Sequence, residues 1–203
     1  MSDFTLLYLH GFLSSPQSGK AQQALAYAAQ LGCEENLLIP FMTEGPAETI
    51  AMLTELLEKR QAQKKGQKLV ILGSSLGGFY ANVLAERYQA PAVLINPAID
   101  PWQYWPDHIG EHKNYHTGQT HTVTEDHVAE LQELHPGSIQ DPDNYLVFLQ
   151  RHDEVLDASI ALSRFGEQRC IVREDGDHAY ADFERELPAA FDFLLSRIDA
   201  EER

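Results

Sequence analysis

Lys68-Leu69-Val70-Ile71-Leu72-Gly73-Ser74-Ser75-Leu76-Gly77 is the stretch on which the fold turns. Leu69 to Leu72 form a short apolar run of strand length, and the five residues after it have the Gly-x-Ser-x-Gly spacing of a strand-to-helix turn that presents a serine. Only Ser75 has glycine two residues before and two after, because Ser74 is flanked at those distances by Leu72 and Leu76. The spacing has a steric reason. A serine on such a turn sits in a strained backbone conformation, and the glycines let neighbouring backbone approach without a Cβ in the way. Ser75 is therefore a candidate nucleophile.

Working outward, short runs rich in β-branched and aromatic residues recur at 4–9, 37–41, 69–72, 92–95, 145–149 and 169–172, and each predicts a buried strand. Helical patterns lie between them. Ala21, Ala24, Leu25, Ala28 and Leu31 share one face and stop at Gly32, while Ile50, Leu53, Leu56 and Leu57 follow a start at Pro46. Near the C-terminus, Phe183 to Ile198 keep helical spacing, but Pro188 cannot sit in a helix interior, which predicts a short helix and a fresh start there. Strands alternating with helices give an α/β fold: a mostly parallel sheet of about six strands, helices on both faces, and functional groups at the carboxyl ends of the strands. The segment 97–143 breaks the rhythm. Its length and its His, Trp, Tyr and Pro content predict a small cap after the fourth strand, with a helix near 124–134 that Thr124 can cap.

The 203 residues suffice for one domain, read here as 1–203, and 43% apolar composition can fill its core. Thirty-one acidic against 15 basic side chains give a formal charge of −16, which repels phosphate backbones and anionic membranes, so neither nucleic acid nor a membrane is an expected partner. The apolar stretch 4–9 is too short for a secretion signal and follows Asp3 rather than a basic segment, and a cytoplasmic protein is expected. Cys33 and Cys170 lack disulfide or zinc spacing and are read as reduced thiols. The histidines at 108, 112, 116, 121 and 127 have no companion acid or thiol in ligand spacing, so no metal and no organic cofactor is expected. Oligomeric state is not written in these features.

A serine needs a base to take its proton and a carboxylate to orient that base. His178, in Glu174-Asp175-Gly176-Asp177-His178, lies just past the sixth run and is the candidate base. Asp153, immediately after the fifth run, is the candidate acid; Asp100, after the fourth run, and Asp157 are its rivals. The order Ser, acid, His is that of the hydrolase fold built on this elbow. Acyl transfer also needs donors for an oxyanion, and the backbone amides of Leu76, next to the nucleophile, and of Phe12, in His10-Gly11-Phe12-Leu13 after the first run, are the candidates. His10 is expected to hold its loop rather than to act as a base. Trp102, Tyr104, Trp105 and Tyr115 lie in the cap and are candidate substrate-lining residues.

With these residues in place the chain resembles the α/β-hydrolases, and more narrowly the small YqiA-like bacterial esterases. The marks are Tyr8-Leu9-His10-Gly11-Phe12 running into Ser14-Ser15-Pro16-Gln17-Ser18 with Lys20 behind, the elbow from Gly73 to Gly78, Asn96-Pro97-Ala98, and Gly176-Asp177-His178. The resemblance covers nearly the whole chain and implies a Ser75, Asp153, His178 triad that hydrolyses carboxylic esters or thioesters of small to medium acyl groups through an acyl-enzyme. The chain departs from larger α/β-hydrolases in lacking the strands that usually precede the His-Gly loop. Two other outcomes fit the same residues: C–C cleavage or elimination by the same triad, and a non-catalytic binding protein that keeps the fold.

Overall fold

The computed structural model describes residues 4–42, 45–114, 117–180 and 182–200. Six parallel strands form the main sheet: β1 (Phe4–Leu9), β2 (Leu37–Leu38), β3 (Lys68–Ser74), β4 (Ala92–Ile95), β7 (Tyr145–Gln150) and β8 (Cys170–Arg173), in spatial order β2-β1-β3-β4-β7-β8. A separate antiparallel pair, β5 (Gly110–Lys113) and β6 (Thr120–Val123), lies in the segment between β4 and β7.

The alternation of side chains along each strand divides the core. Leu7, Leu9 and Ile71 face α2 (Pro46–Gln63), α3 (Leu76–Tyr88) and α5 (Ala158–Phe165), where Leu53, Phe79 and Phe165 complete one buried cluster. Leu6, Tyr8, Val70 and Leu72 point the other way, onto α1 (Gly19–Gln30) and α6 (Leu187–Ala200), where Ala21, Ala24, Phe191 and Leu194 meet them. Strands buried on both faces read as continuous apolar runs, which is why they were visible in the sequence. The C-terminal pattern also follows its proline: a 3-10 turn at Phe183–Arg185 precedes α6, and Pro188 falls in the first turn of α6, where its missing N–H leaves no bond unmade.

Two expectations change. The strand expected over 37–41 is only Leu37–Leu38, paired with Leu6 and Leu7, because Pro40 has no N–H to extend the ladder. The β5–β6 hairpin was not anticipated. Its strands are His- and Thr-rich and mostly exposed, so they carry no apolar alternation, and the turn is built instead by Gly118 at φ +74°, whose amide donates to the Asn114 carbonyl. The rest of the cap includes 3-10 turns at Pro101–Gln103 and Trp105–His108, α4 (Glu125–Glu133) and, at its end, a 3-10 turn at Pro142–Asn144. Thr124 caps α4, accepting from the His127 amide while His127 Nδ1 accepts from the Thr124 amide. Trp105, Val123 and Leu131 are buried and tie the cap into the cluster with α2 and α3.

The strand order fixes where a site can form. The chain leaves β1 for β2 on one side and returns to β3 on the other, so a crevice opens at the carboxyl ends of β1 and β3. There the first turn of α3 lies directly against β1: a Cβ on Gly77 would collide with the carbonyls of Leu9 and His10, and one on Gly73 with the Gly77 carbonyl. These neighbours are backbone and cannot swing aside. Gly77→Ala is expected to lower unfolding free energy by at least about 2 kcal/mol, read from the urea midpoint; an unchanged midpoint would mean that α3 does not dock this closely on β1.

Candidate active site

Ser75 sits between β3 and α3 at φ +56°, ψ −124°, a region that non-glycine residues rarely occupy. Its backbone is held from three sides. The Ser75 amide donates to the Ile95 carbonyl at 3.0 Å, and the Ser75 carbonyl accepts from Gly78 at 2.8 Å and Ala98 at 3.0 Å. Gly11 passes so close that a Cβ there would lie 3.2 Å from Ser75 Cβ and 3.5 Å from Oγ. The loop after β1 and the turn after β3 thus form one wall, with the Phe12 and Leu76 amides on it. Among the described residues, neither amide donates to an acceptor.

His178 Nε2 lies 2.9 Å from Ser75 Oγ, and His178 Nδ1 lies 2.7 Å from Asp153 Oδ2. The carboxylate only accepts, so Nδ1 carries the proton and Nε2 is left to accept from the serine hydroxyl. Asp153 Oδ1 is also occupied, accepting from the Val155 and Leu156 amides at 2.8 Å each, and the side chain is 2% exposed against 20% for His178. The acid is thus fixed in rotamer by its own loop while the imidazole edge faces the crevice. The rival acids have other partners. Asp157 caps α5 through the Ser159 amide, and Asp100 accepts from Gln103 and lies 3.7 Å from His135.

The loop that carries His178 is suspended by side chains of other elements. Asn96, buried at the end of β4, donates to the carbonyls of Asp177 (3.2 Å) and His178 (3.3 Å), and its Oδ1 accepts from the Gln150 amide at 2.8 Å. Glu154 accepts from the His178 amide at 3.0 Å, which holds its carboxyl below the ordinary range, and Lys20 Nζ donates to the Ala179 carbonyl. At the ends of the loop, Glu186 binds Arg173 through two bonds of 2.7 and 2.9 Å and accepts from Tyr180. In the sequence Asn96 stands out only as part of Asn96-Pro97-Ala98. Its type, at a strand end beside Pro97, was the available signal, but which loops it joins depends on sheet order.

His10 is 2% exposed and bonds locally: Nδ1 lies 2.9 Å from the Gly11 carbonyl, and Nε2 accepts from the Met42 amide at 3.2 Å. Two cavities flank the His10-Gly11-Phe12 wall. One of 360 Å³ opens onto Ser75 and His178 and is lined also by Ser14, Ser18, Lys20 and Gln23; one of 60 Å³ lies between Phe12, Leu76, Tyr80, Met42 and Trp105. A larger cavity, 830 Å³, is at the opposite ends of the strands, beside Thr5, Lys68 and Pro91, away from Ser75 and His178. Of the aromatic candidates, Trp105 borders the small cavity and its ring packs on Phe12, with centroids 4.8 Å apart. Trp102 packs edge-on against Phe79 and His135, Tyr104 packs against Trp105, and neither lines these two cavities. Tyr115 lies outside the described residues. His108, His112 and His121 surround the Phe12 ring, and among the described residues no group of three or more potential ligands is arranged to hold a metal ion. Cys33 and Cys170 are free thiols, and burial pushes Cys170 up to about 11, far from the range of a reactive thiolate. Among the described residues, no helix is long and apolar enough to cross a membrane.

The parallel sheet, the serine turn at its switch point and the strand-end loops around it define an α/β-hydrolase fold. Solved structures carry the same architecture: mouse alpha/beta hydrolase domain-containing protein 10 matches with a TM-score of 0.71 and 16% identity, over 96% of this chain and 90% of that one. Est1E from Butyrivibrio proteoclasticus matches with a TM-score of 0.68 and 14% identity, over 98% and 89%. Residues 5–195 match the family described as "Uncharacterised protein family (UPF0227)", and the chain belongs to that family. A relative from Pectobacterium carotovorum subsp. carotovorum (strain PC1), a UPF0227 protein, is 27% identical over 170 residues, 84% of this chain and 87% of its own length.

Asn96 sits at φ +39° with three side-chain bonds, two to the His178 loop and one to the end of β7. Asn96→Ala leaves the buried Gln150 amide unpaired and places Ala in a left-handed conformation. It is expected to cost about 2–4 kcal/mol in urea unfolding and to speed hydrogen exchange at the Gln150 amide. Wild-type exchange at that amide would count against the tie.

Proposed function

We propose that the protein is a serine hydrolase of the carboxylesterase and thioesterase type, acting on small-molecule acyl esters or thioesters as a single cytoplasmic domain without a cofactor. The observation that carries the reading is the chain of hydrogen bonds from Asp153 through His178 to Ser75, 2.7 and 2.9 Å long, at the switch point of the sheet.

In the proposed reaction Ser75 Oγ attacks the acyl carbonyl as its proton passes to His178 Nε2. The carbonyl oxygen becomes an oxyanion, which the Phe12 and Leu76 amides stabilise, helped by the positive end of the α3 dipole. His178 then gives the proton to the leaving alcohol or thiol as the C–O or C–S bond breaks. Water, deprotonated by His178, attacks the acyl-enzyme and restores Ser75. Asp153 keeps the imidazole in the required tautomer and stabilises its cation. The 60 Å³ cavity behind Phe12 and Leu76 suits a short acyl chain, which favours the small end of the substrate range. Two solved structures of similar fold support the class: one is an esterase from Pyrococcus furiosus, and the other is Est1E with ferulic acid bound.

A fluorophosphonate probe is expected to label the wild type and not Ser75→Ala; a folded wild type that stays unlabelled refutes the reading. Asp153→Asn is expected to lower turnover of p-nitrophenyl acetate by at least about 10², because the amide stabilises the wrong tautomer. Near-normal turnover would remove Asp153 from the acid role.

A further inference from the structure

Acyl transfer as proposed uses no cation, yet the 360 Å³ cavity beside Ser75 and His178 has Lys20 in its wall. The ammonium has three donors and gives one to the Ala179 carbonyl. Among the described residues, no carboxylate forms an ion pair with it. Asp177 and Asp153 reach it only through their fields, which favour its charged form against a larger effect of burial that lowers its pKa. The bond to Ala179 explains part of this arrangement, since it steadies the His178 loop. It does not explain a charge, because a neutral amide would serve a carbonyl as well. Lys20 is half-buried, and an ammonium held against the cavity wall without a counter-ion gives up part of its hydration with no charge to replace it, although the chain has 31 acidic side chains.

The position of Lys20 indicates which part of a substrate it meets. In the proposed reaction His178 returns its proton to the leaving atom, so the leaving group lies on the His178 side. Lys20 bonds the residue next to His178 and shares its cavity with Ser14 and Ser18, whose hydroxyls suit a polar guest. We infer that the substrate carries an anionic substituent, a carboxylate or a phosphate, on its leaving group and that Lys20 recognises it. The inference rests on the serine-hydrolase reading and adds the charge of the leaving group to it.

Three acetate esters test it: 4-acetoxybenzoate, its neutral methyl ester, and 4-acetoxyphenyl phosphate. The wild type is expected to prefer at least one charged ester over the methyl ester by about tenfold or more in kcat/KM, mostly through KM. Which charged ester is preferred identifies carboxylate or phosphate as the anion. In Lys20→Met the ratio of charged to neutral kcat/KM is expected to fall to about one, and in Lys20→Arg to stay well above that of Lys20→Met. The ratio cancels any general loss from a loosened His178 loop. A wild type without preference, or a preference that survives Lys20→Met, overturns the inference while fluorophosphonate labelling of Ser75 stands. Loss of labelling in the folded wild type would instead remove the hydrolase reading, and this inference with it.

Discussion

The site is organised by the close approach of α3 to the end of β1, where Gly77 lies against the carbonyls of Leu9 and His10. Two segments distant in sequence are brought into one wall by that approach. The loop that starts at His10 then passes over Ser75, and the Phe12 and Leu76 amides come to the same edge. The positive φ of Ser75 follows from the same constraint, because the chain must turn from β3 into a helix that is already docked. Such a conformation costs on the order of 1–3 kcal/mol and persists only where its surroundings over-determine it. Here the bonds to Ile95, Gly78 and Ala98 provide that, and two of the three come from β4 and the residues after it.

The opposite wall is built differently. No regular element holds His178; its loop follows β8, a four-residue strand at the edge of the sheet. Carbonyls at 177, 178 and 179 and the amide at 178 are instead satisfied by Asn96, Lys20 and Glu154, which come from three separate places in the chain. Polar backbone near a partly closed cavity needs partners, and side chains supply them where a strand does not. Asn96 has the widest reach of these, because the same amide group that holds the His178 loop also holds the end of β7, just before Asp153. Base and acid loops therefore share a support, and a shift in one is transmitted to the other.

Much of this was legible in the sequence, for reasons that differ by residue. Runs such as 4–9 and 92–95 are buried on both faces, so their apolar character survives in the one-dimensional pattern. The spacing around Ser75 reflects hard sterics, and Asp153 and His178 could be picked because each follows a strand in chain order. The missing parts are those whose identity depends on neighbours across the sheet. Asn96 looks like an ordinary turn residue until β7 and the His178 loop are placed beside it. The β5–β6 hairpin escaped because its exposed His and Thr residues carry no period, and the expected reach of β2 to residue 41 ignored what Pro40 does to a ladder. Aromatic content does not separate neighbours either: Trp102 and Trp105 share one short segment, yet Trp105 borders the small cavity beside the wall of the site while Trp102 packs on Phe79.

Charge acts on two length scales in this molecule. A net charge of −16 sets the field at a distance, and at physiological ionic strength that field decays over roughly 8 Å. It governs encounter, slowing anions and repelling polyanions, but it does not determine what is stable at contact. Lys20 is in the wall of the cavity, and the fields of Asp177 and Asp153 reach it in surroundings less polar than water, where each counts for more. Asp153 is already engaged by His178 and two amides, so its field there is largely answered. Among the described residues, the hydrogen bond that Lys20 makes is to a neutral carbonyl. An acidic surface at long range and a cationic group in the cavity wall at contact are therefore compatible.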